Sequence, residues 1–97
     1  MNLYVTVAIQ VLPKGEGKSS YALVDEAIAM IADSGLMYLV CPFETVIEGD
    51  YDDIMKLLKE VQLACYNAGA DELMTYVKIQ SRRDEIVTIE DKMEKYH

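Results

Sequence analysis

Apolar and polar residues alternate along the first dozen positions of the chain. Between residues 2 and 12 every odd position is aliphatic, while the even positions are mixed. A period of two is typical of a β-strand, because successive side chains point to opposite faces of the sheet. The pattern predicts a first strand over residues 2–12, with Leu3, Val5, Val7 and Ile9 on its buried side.

The next segment changes to a helical period. Its apolar residues recur three or four positions apart, which predicts a helix in which Tyr21, Val24, Ile28 and Ile31 share one stripe with Ala27 beside them. Tyr21 is expected to be a core residue and not a ligand contact. Ser19 or Ser20 suits the N-cap of this helix, and Gly35 suits the left-handed residue that follows its end.

A second helix follows Asp50, which is a good N-cap residue. Asp52 and Asp53 then fall in the first turn, where the helix dipole favours acidic side chains. Gly69 ends the helix, and its predicted buried stripe consists of Ile54, Leu57, Leu58, Val61, Ala64 and Cys65.

Three further strands are predicted over residues 36–41, 44–48 and 72–80, and a short helix capped by Thr88 follows the turn "SRRDE". The order βαββαβ predicts an α+β fold of the ferredoxin-like type, with both long helices on one face of an antiparallel sheet. We interpret residues 1–97 as a single domain.

The other face of that sheet has a mixed character. It would bring Tyr4, Thr6, Ala8 and Gln10 beside Met74, Tyr76, Lys78 and Gln80. Such a surface is more apolar than ordinary solvated surface, so we expect a second copy of the chain to pack on it. A merely solvated sheet face is the alternative.

The net charge of −8 over 97 residues argues against nucleic acid or an anionic membrane surface as a partner. The N-terminus lacks a basic region before its apolar residues, so we interpret it as a strand and not a targeting segment. Cys41 and Cys65 are expected to be thiols in a reducing cytoplasm. The loop containing Lys14 and Lys18 either holds an anion or is simply solvated.

Catalytic residues are scarce. The single histidine is His97, the last residue, so a Cys-His or Ser-His pair is not expected. No cluster shows the spacing of metal ligands, and the "DYDD" at residues 50–53 suits helix capping better than a calcium loop. The sequence therefore predicts a protein that is not an enzyme and needs no cofactor.

Three stretches of the chain carry a family resemblance: "SSYALVDEAIAMIADSGLMY", "ETVIEGDYDDIM" and "GADELMTYVKIQSRRD". With them the sequence resembles the small thiamine-binding proteins of the MTH1187/YkoF-like group, also called UPF0045. The resemblance runs over nearly the whole chain, and "TVIEG" at 45–49 and "RRD" at 82–84 are its most specific parts.

The resemblance implies a cytoplasmic protein that binds thiamine, or its hydroxymethylpyrimidine part, without converting it. It also implies a homotetramer built as a dimer of dimers, with the sheets of two subunits packed face to face. An oligomeric regulatory or scaffold protein acting through protein–protein contacts is the alternative function, and an enzyme that uses only carboxylates is a third.

The family pattern assigns ligand binding first to Thr45 and Glu48, and then to Ser19 and Ser20. Geometric reasoning adds Gln10, Leu12 and Tyr38. A carboxylate and an aromatic face suit the permanent positive charge of the thiazolium ring. Glu48 has a structural alternative, an ion pair with Arg82 or Arg83. Gly49 is expected to allow close approach of a ligand or of backbone.

Overall fold

The chain is described here from a computed structural model that covers residues 3–83 and 89–94. Its elements are β1 (Tyr4–Lys14), α1 (Ser20–Asp33), β2 (Met37–Val40), β3 (Thr45–Asp50), α2 (Tyr51–Asn67), β4 (Glu72–Ser81) and α3 (Ile89–Met93). The βαββαβ order with a short final helix is as expected, and the α+β, ferredoxin-like class is confirmed. The predicted cap Thr88, Asp84 and Glu85 of the turn before it, and His97 lie outside the described residues.

The four strands form one antiparallel sheet in the order β2-β3-β1-β4. Its register defines two faces. On the helix side, Val5, Val7 and Ile9 are buried as predicted. On the other side, which we call the open face, Ala8 pairs with Lys78 and Gln10 with Tyr76. The mixed face predicted from the alternation is therefore present.

The core lies between the sheet and the two long helices. α2 buries Ile54, Leu57, Leu58, Val61 and Cys65, nearly the predicted stripe. α1 buries Leu23, Ala27 and Ile31, so Ile31 and the neighbouring Ala27 lie in the core as expected. The core position expected for Tyr21 is wrong, because its side chain at the start of α1 is 85% exposed, while Val24 and Ile28 are half-buried.

The loop between β1 and α1 is fixed against the loop between α2 and β4. The Asp71 carboxylate accepts a hydrogen bond of 3.0 Å from the Glu16 N–H, and the Asp71 N–H donates one of 2.6 Å to the Lys14 carbonyl. A Cβ atom on Gly15 would lie 2.5 Å from the Gly69 carbonyl oxygen, so the two loops are in direct backbone contact. The anion that this loop holds is thus a carboxylate of the chain itself.

Candidate ligand-binding cleft

A cleft of about 380 Å³ opens between α1 and the helix side of the sheet. Strands β1 and β3 form its floor, α1 forms one wall, and the turn between β2 and β3 forms the other. The lining is mainly apolar and consists of Ile9, Gln10, Val11, Tyr21, Val24, Asp25, Ala27, Ile28, Ile31, Val40, Cys41, Pro42, Phe43, Glu44, Thr45 and Val61.

Thr45 supplies a hydroxyl to the floor of this cleft. It is the first residue of β3 and pairs with Ile9, so its side chain lies on the helix side of the sheet. Thr45 is 6% exposed, and within the described part of the chain its hydroxyl has no hydrogen-bond partner. A largely buried hydroxyl in an apolar floor is available to orient a polar group of a ligand.

Aromatic and acidic side chains surround the mouth of the cleft. Tyr21 and Phe43 belong to the lining although they are 85% and 82% exposed. Asp25 lies on the α1 wall, one turn after Tyr21. Glu44 follows Phe43 and makes an ion pair with Lys78, at 3.3 Å between Oε2 and Nζ. The mouth therefore combines exposed aromatic rings with negative charge.

Glu48 does not belong to this cleft. It is paired across the sheet with Thr6, so it lies on the open face while Thr45 lies on the helix side. Its carboxylate is 8% exposed and accepts a hydrogen bond of 2.8 Å from the Ile89 N–H, at the start of α3. This contact attaches the C-terminal helix to the sheet.

The other residues predicted for the site are dispersed. Gln10 is part of the lining, but the alternation places its side chain on the open face together with Leu12. Ser19 occupies the N-cap position of α1 without a side-chain capping hydrogen bond. Ser20 precedes Tyr21 and is exposed, and Tyr38 lies on β2 outside the lining. Ligand contacts of all seven residues, Thr45 and Glu48 included, stay predictions.

Gly49 makes room for the core and not for the cleft. A Cβ atom there would lie 3.3 Å from Leu36 Cδ2 and 3.7 Å from Ile54 Cγ1. The close approach expected at this glycine therefore involves the apolar side chains of Leu36, just before β2, and Ile54 on α2.

Of the lining residues, only Gln10 and Thr45 were predicted for the site, and sequence reasoning missed the rest, including Tyr21, Asp25 and Phe43 at the mouth. One feature of the sequence indicated the α1 wall of the cleft. The second apolar stripe of α1, which includes Val24 and Ile28, is half-buried and faces the cleft. A helix with two apolar stripes packs one on its own sheet and leaves the other for a groove or a ligand.

Among the described residues, the pKa values of two ionisable groups are shifted. Burial raises the pKa of the Tyr4 phenol above 10.0, and the charges of Glu48 and Asp50 raise it further. Burial also raises the pKa of the Cys65 thiol, with a smaller contribution from Glu26. Both groups lie outside the lining of the cleft, so neither suggests acid–base chemistry there.

The described residues contain neither a metal site nor a membrane-spanning helix. No group of three or more His, Cys, Asp or Glu side chains could hold a metal ion within residues 3–83 and 89–94. In the same residues no helix is long and apolar enough to cross a membrane.

The fold and the cleft define a ferredoxin-like domain with a cleft of small-molecule size. A sequence model of the family described as thiamine-binding protein matches residues 7–97. The chain therefore belongs to the thiamine-binding protein family, as the resemblance implied.

Relatives agree with this placement. A UPF0045 protein of Clostridium perfringens is 36% identical over 90 residues, which are 93% of this chain and 94% of that protein. A domain of unknown function from Bacillus cereus, DUF77, superposes with a TM-score of 0.95 at 39% identity and covers 100% of this chain and 93% of its own. A Thermotoga maritima protein, whose name proposes a role in thiamine biosynthesis or salvage, superposes with a TM-score of 0.85 at 32% identity. The match covers 97% of this chain and 99% of that protein.

Proposed function

We propose that this protein binds thiamine, or its hydroxymethylpyrimidine part, in the cleft between α1 and the sheet, and releases it unchanged. The observation that carries the proposal is the uncommitted Thr45 hydroxyl in an apolar floor, in a chain of the thiamine-binding family. Through such binding the protein would act as a carrier, a buffer or a sensor of the vitamin.

The size and chemistry of the cleft support a flat heterocycle. A volume of about 380 Å³ is in the range of small-molecule sites, which span roughly 300–1,000 Å³. An aminopyrimidine ring has apolar faces and polar edges. The faces suit the aliphatic side chains of Ile9, Val24 and Ile28, and an edge nitrogen suits the Thr45 hydroxyl.

The lining supports binding without catalysis. Its ionisable side chains are Tyr21, Asp25, Cys41 and Glu44. Glu44 is committed to Lys78, and the Cys41 thiol points to the Leu39 carbonyl at 3.9 Å. A nucleophile needs a base within hydrogen-bonding distance to be activated, and the described lining offers no such pair.

We also propose that the protein assembles from copies of itself. The open face exposes Leu12, Met37, Met74 and Tyr76, and the charge of its Lys78 is neutralised by an ion pair with Glu44. A second copy fits this face best, because the net charge of −8 would repel two copies at most other surfaces.

A tetramer needs a second interface. Val77 and Ile79 on the helix side of β4 are 39% and 46% exposed, since β4 is an edge strand that the helices do not fully cover. We propose the open face for the dimer and this margin of β4 for the pairing of dimers. The free thiols of Cys41 and Cys65 suit a reducing cytoplasm as the place of action.

Isothermal titration calorimetry with thiamine, thiamine phosphate and hydroxymethylpyrimidine tests the binding proposal. We expect saturable binding of at least one of them, with recovery of the unmodified compound afterwards. Absence of heat with all three, from folded protein free of bound ligand, would contradict it. The exposed open face would then favour the alternative of a scaffold that acts through protein–protein contacts.

A further inference from the structure

We propose that Tyr21 and Phe43 form an aromatic clamp at the mouth of the cleft that recognises a cationic ring, and that Asp25 supplies its negative charge. The inference rests on the proposed function and refines it. In thiamine, the clamp would hold the thiazolium ring, while the aminopyrimidine occupies the floor beside Thr45.

The first observation is the exposure of the two rings. Tyr21 and Phe43 are 85% and 82% exposed, the highest values among the exposed large hydrophobic residues of the described chain. Phe43 is also the single phenylalanine of the sequence. An aromatic ring left almost wholly in water forgoes the free energy of burial, so two of them lining one cleft suggest a binding role.

The second observation is that both rings stand on fixed backbone. Phe43 follows Pro42 in a turn closed by a hydrogen bond of 2.9 Å from the Cys41 N–H to the Glu44 carbonyl. Tyr21 lies in the first turn of α1, directly after the loop that Asp71 holds through the Glu16 N–H. Walls that are ordered before binding lose less entropy when a ligand enters.

The third observation is the sign of the charge. Asp25 lies four residues after Tyr21 on the same face of α1, and both residues line the cleft, so the acid and the ring are neighbours on the helix surface. The described lining contains no lysine or arginine. A cation over an aromatic face is attracted by the ring quadrupole, and a nearby carboxylate adds to that attraction. The mouth therefore selects a positively charged heterocycle over a neutral or anionic one.

Paired titrations of single variants test the clamp. The probes are thiamine, a neutral thiamine analogue in which carbon replaces the charged ring nitrogen, and hydroxymethylpyrimidine. For Tyr21→Leu and Phe43→Leu we expect the affinity for thiamine to fall by about twofold to thirtyfold, the range of cation–π contacts. We expect the affinities for the two neutral probes to change less than twofold.

Matched controls separate the clamp from general effects. Tyr66→Leu removes a half-exposed ring on α2, outside the lining, and should leave all three affinities unchanged. Tyr21→Phe and Phe43→Tyr keep the aromatic faces and should keep thiamine binding. Asp25→Asn should lower the affinity for thiamine and leave the affinities for the two neutral probes unchanged. Since these side chains are exposed, all variants are expected to fold, and circular dichroism checks this.

The outcomes distinguish the clamp from the site itself. Equal losses for thiamine and its neutral analogue would overturn the clamp, because the rings would then act by contact area alone, while binding in the cleft would stand. Unchanged thiamine affinity in both Leu variants would overturn it as well. If wild-type protein binds none of the probes, the proposed function and the clamp both fail.

Discussion

The two faces of the sheet use polar residues of the same strand in opposite ways. On the helix side, the Thr45 hydroxyl has no partner in the described part of the chain and opens onto an apolar cleft. On the open face, the Glu48 carboxylate is nearly as buried and is committed to the Ile89 N–H. We propose the first as a ligand contact, and the second attaches the short helix α3 to the sheet.

Residues of one short sequence motif can therefore lie on opposite faces of a sheet. Thr45 and Glu48 stand at the two ends of "TVIE", and the strand period of two places them on opposite faces. The carboxylate that suits a cationic ligand in the cleft is then Asp25, on a different element. Closeness in sequence is therefore a poor guide to shared function along a strand.

The largest effect is expected from Glu48→Ala. The substitution leaves the partly buried Ile89 N–H without its acceptor, so we expect the free energy of unfolding to fall by about 1.5–3 kcal/mol, as for hydrogen bonds to charged groups. Urea unfolding followed by circular dichroism measures this. Amide hydrogen exchange should show lost protection at Ile89.

Glu90→Ala is the matched control, because Glu90 is an exposed acid on the same short helix. It should change the free energy of unfolding by less than about 0.5 kcal/mol. If Glu48→Ala unfolds at the same urea concentration as the control, the attachment of α3 by Glu48 is not important for stability.

A smaller effect is expected from pH at Tyr4, also on the open face. Its pKa is raised above 10.0, so the folded protein favours the neutral phenol. The resulting stability is fully present below pH 10 and is lost as the pH rises through the raised value. Tyr4→Phe should therefore reduce the fall in unfolding free energy between about pH 9 and 11, measured with urea. The raised pKa of the Cys65 thiol also lowers the unfolding free energy as the pH rises, and this contribution remains in Tyr4→Phe. Identical slopes for both proteins would contradict this account.

The smallest effect is expected from Gly49→Ala. The new methyl group would meet the flexible end of Leu36 at 3.3 Å, while a strand gains from replacing glycine. These effects oppose each other, so the free energy of unfolding should change by less than about 1 kcal/mol. Thiamine affinity should be unchanged, since Gly49 is outside the lining. A large loss of affinity in calorimetry would instead place the ligand near Gly49.

The fold was largely predictable from the sequence, and the site was not. The strict alternation in β1 determined both faces of the sheet, because any one-residue shift would expose Val5, Val7 and Ile9. The cleft depends on how α1 is rotated against the sheet, and the spacing of its apolar residues allows either Leu23 or Val24 beside Ala27 and Ile31 to face the core. The partner of Glu48 could not be foreseen either, since Ile89 is 41 residues away in sequence.

The most direct test of the contrast between the faces is calorimetry with thiamine on Thr45→Val and Glu48→Gln. Valine keeps the shape of Thr45 and removes its hydroxyl, so we expect about a fivefold loss of affinity, equivalent to one hydrogen bond of about 1 kcal/mol. Glu48→Gln should bind thiamine within about twofold of wild type, since its side chain is on the other face. A strong loss in Glu48→Gln together with unchanged binding in Thr45→Val would contradict the account and move the site to the open face.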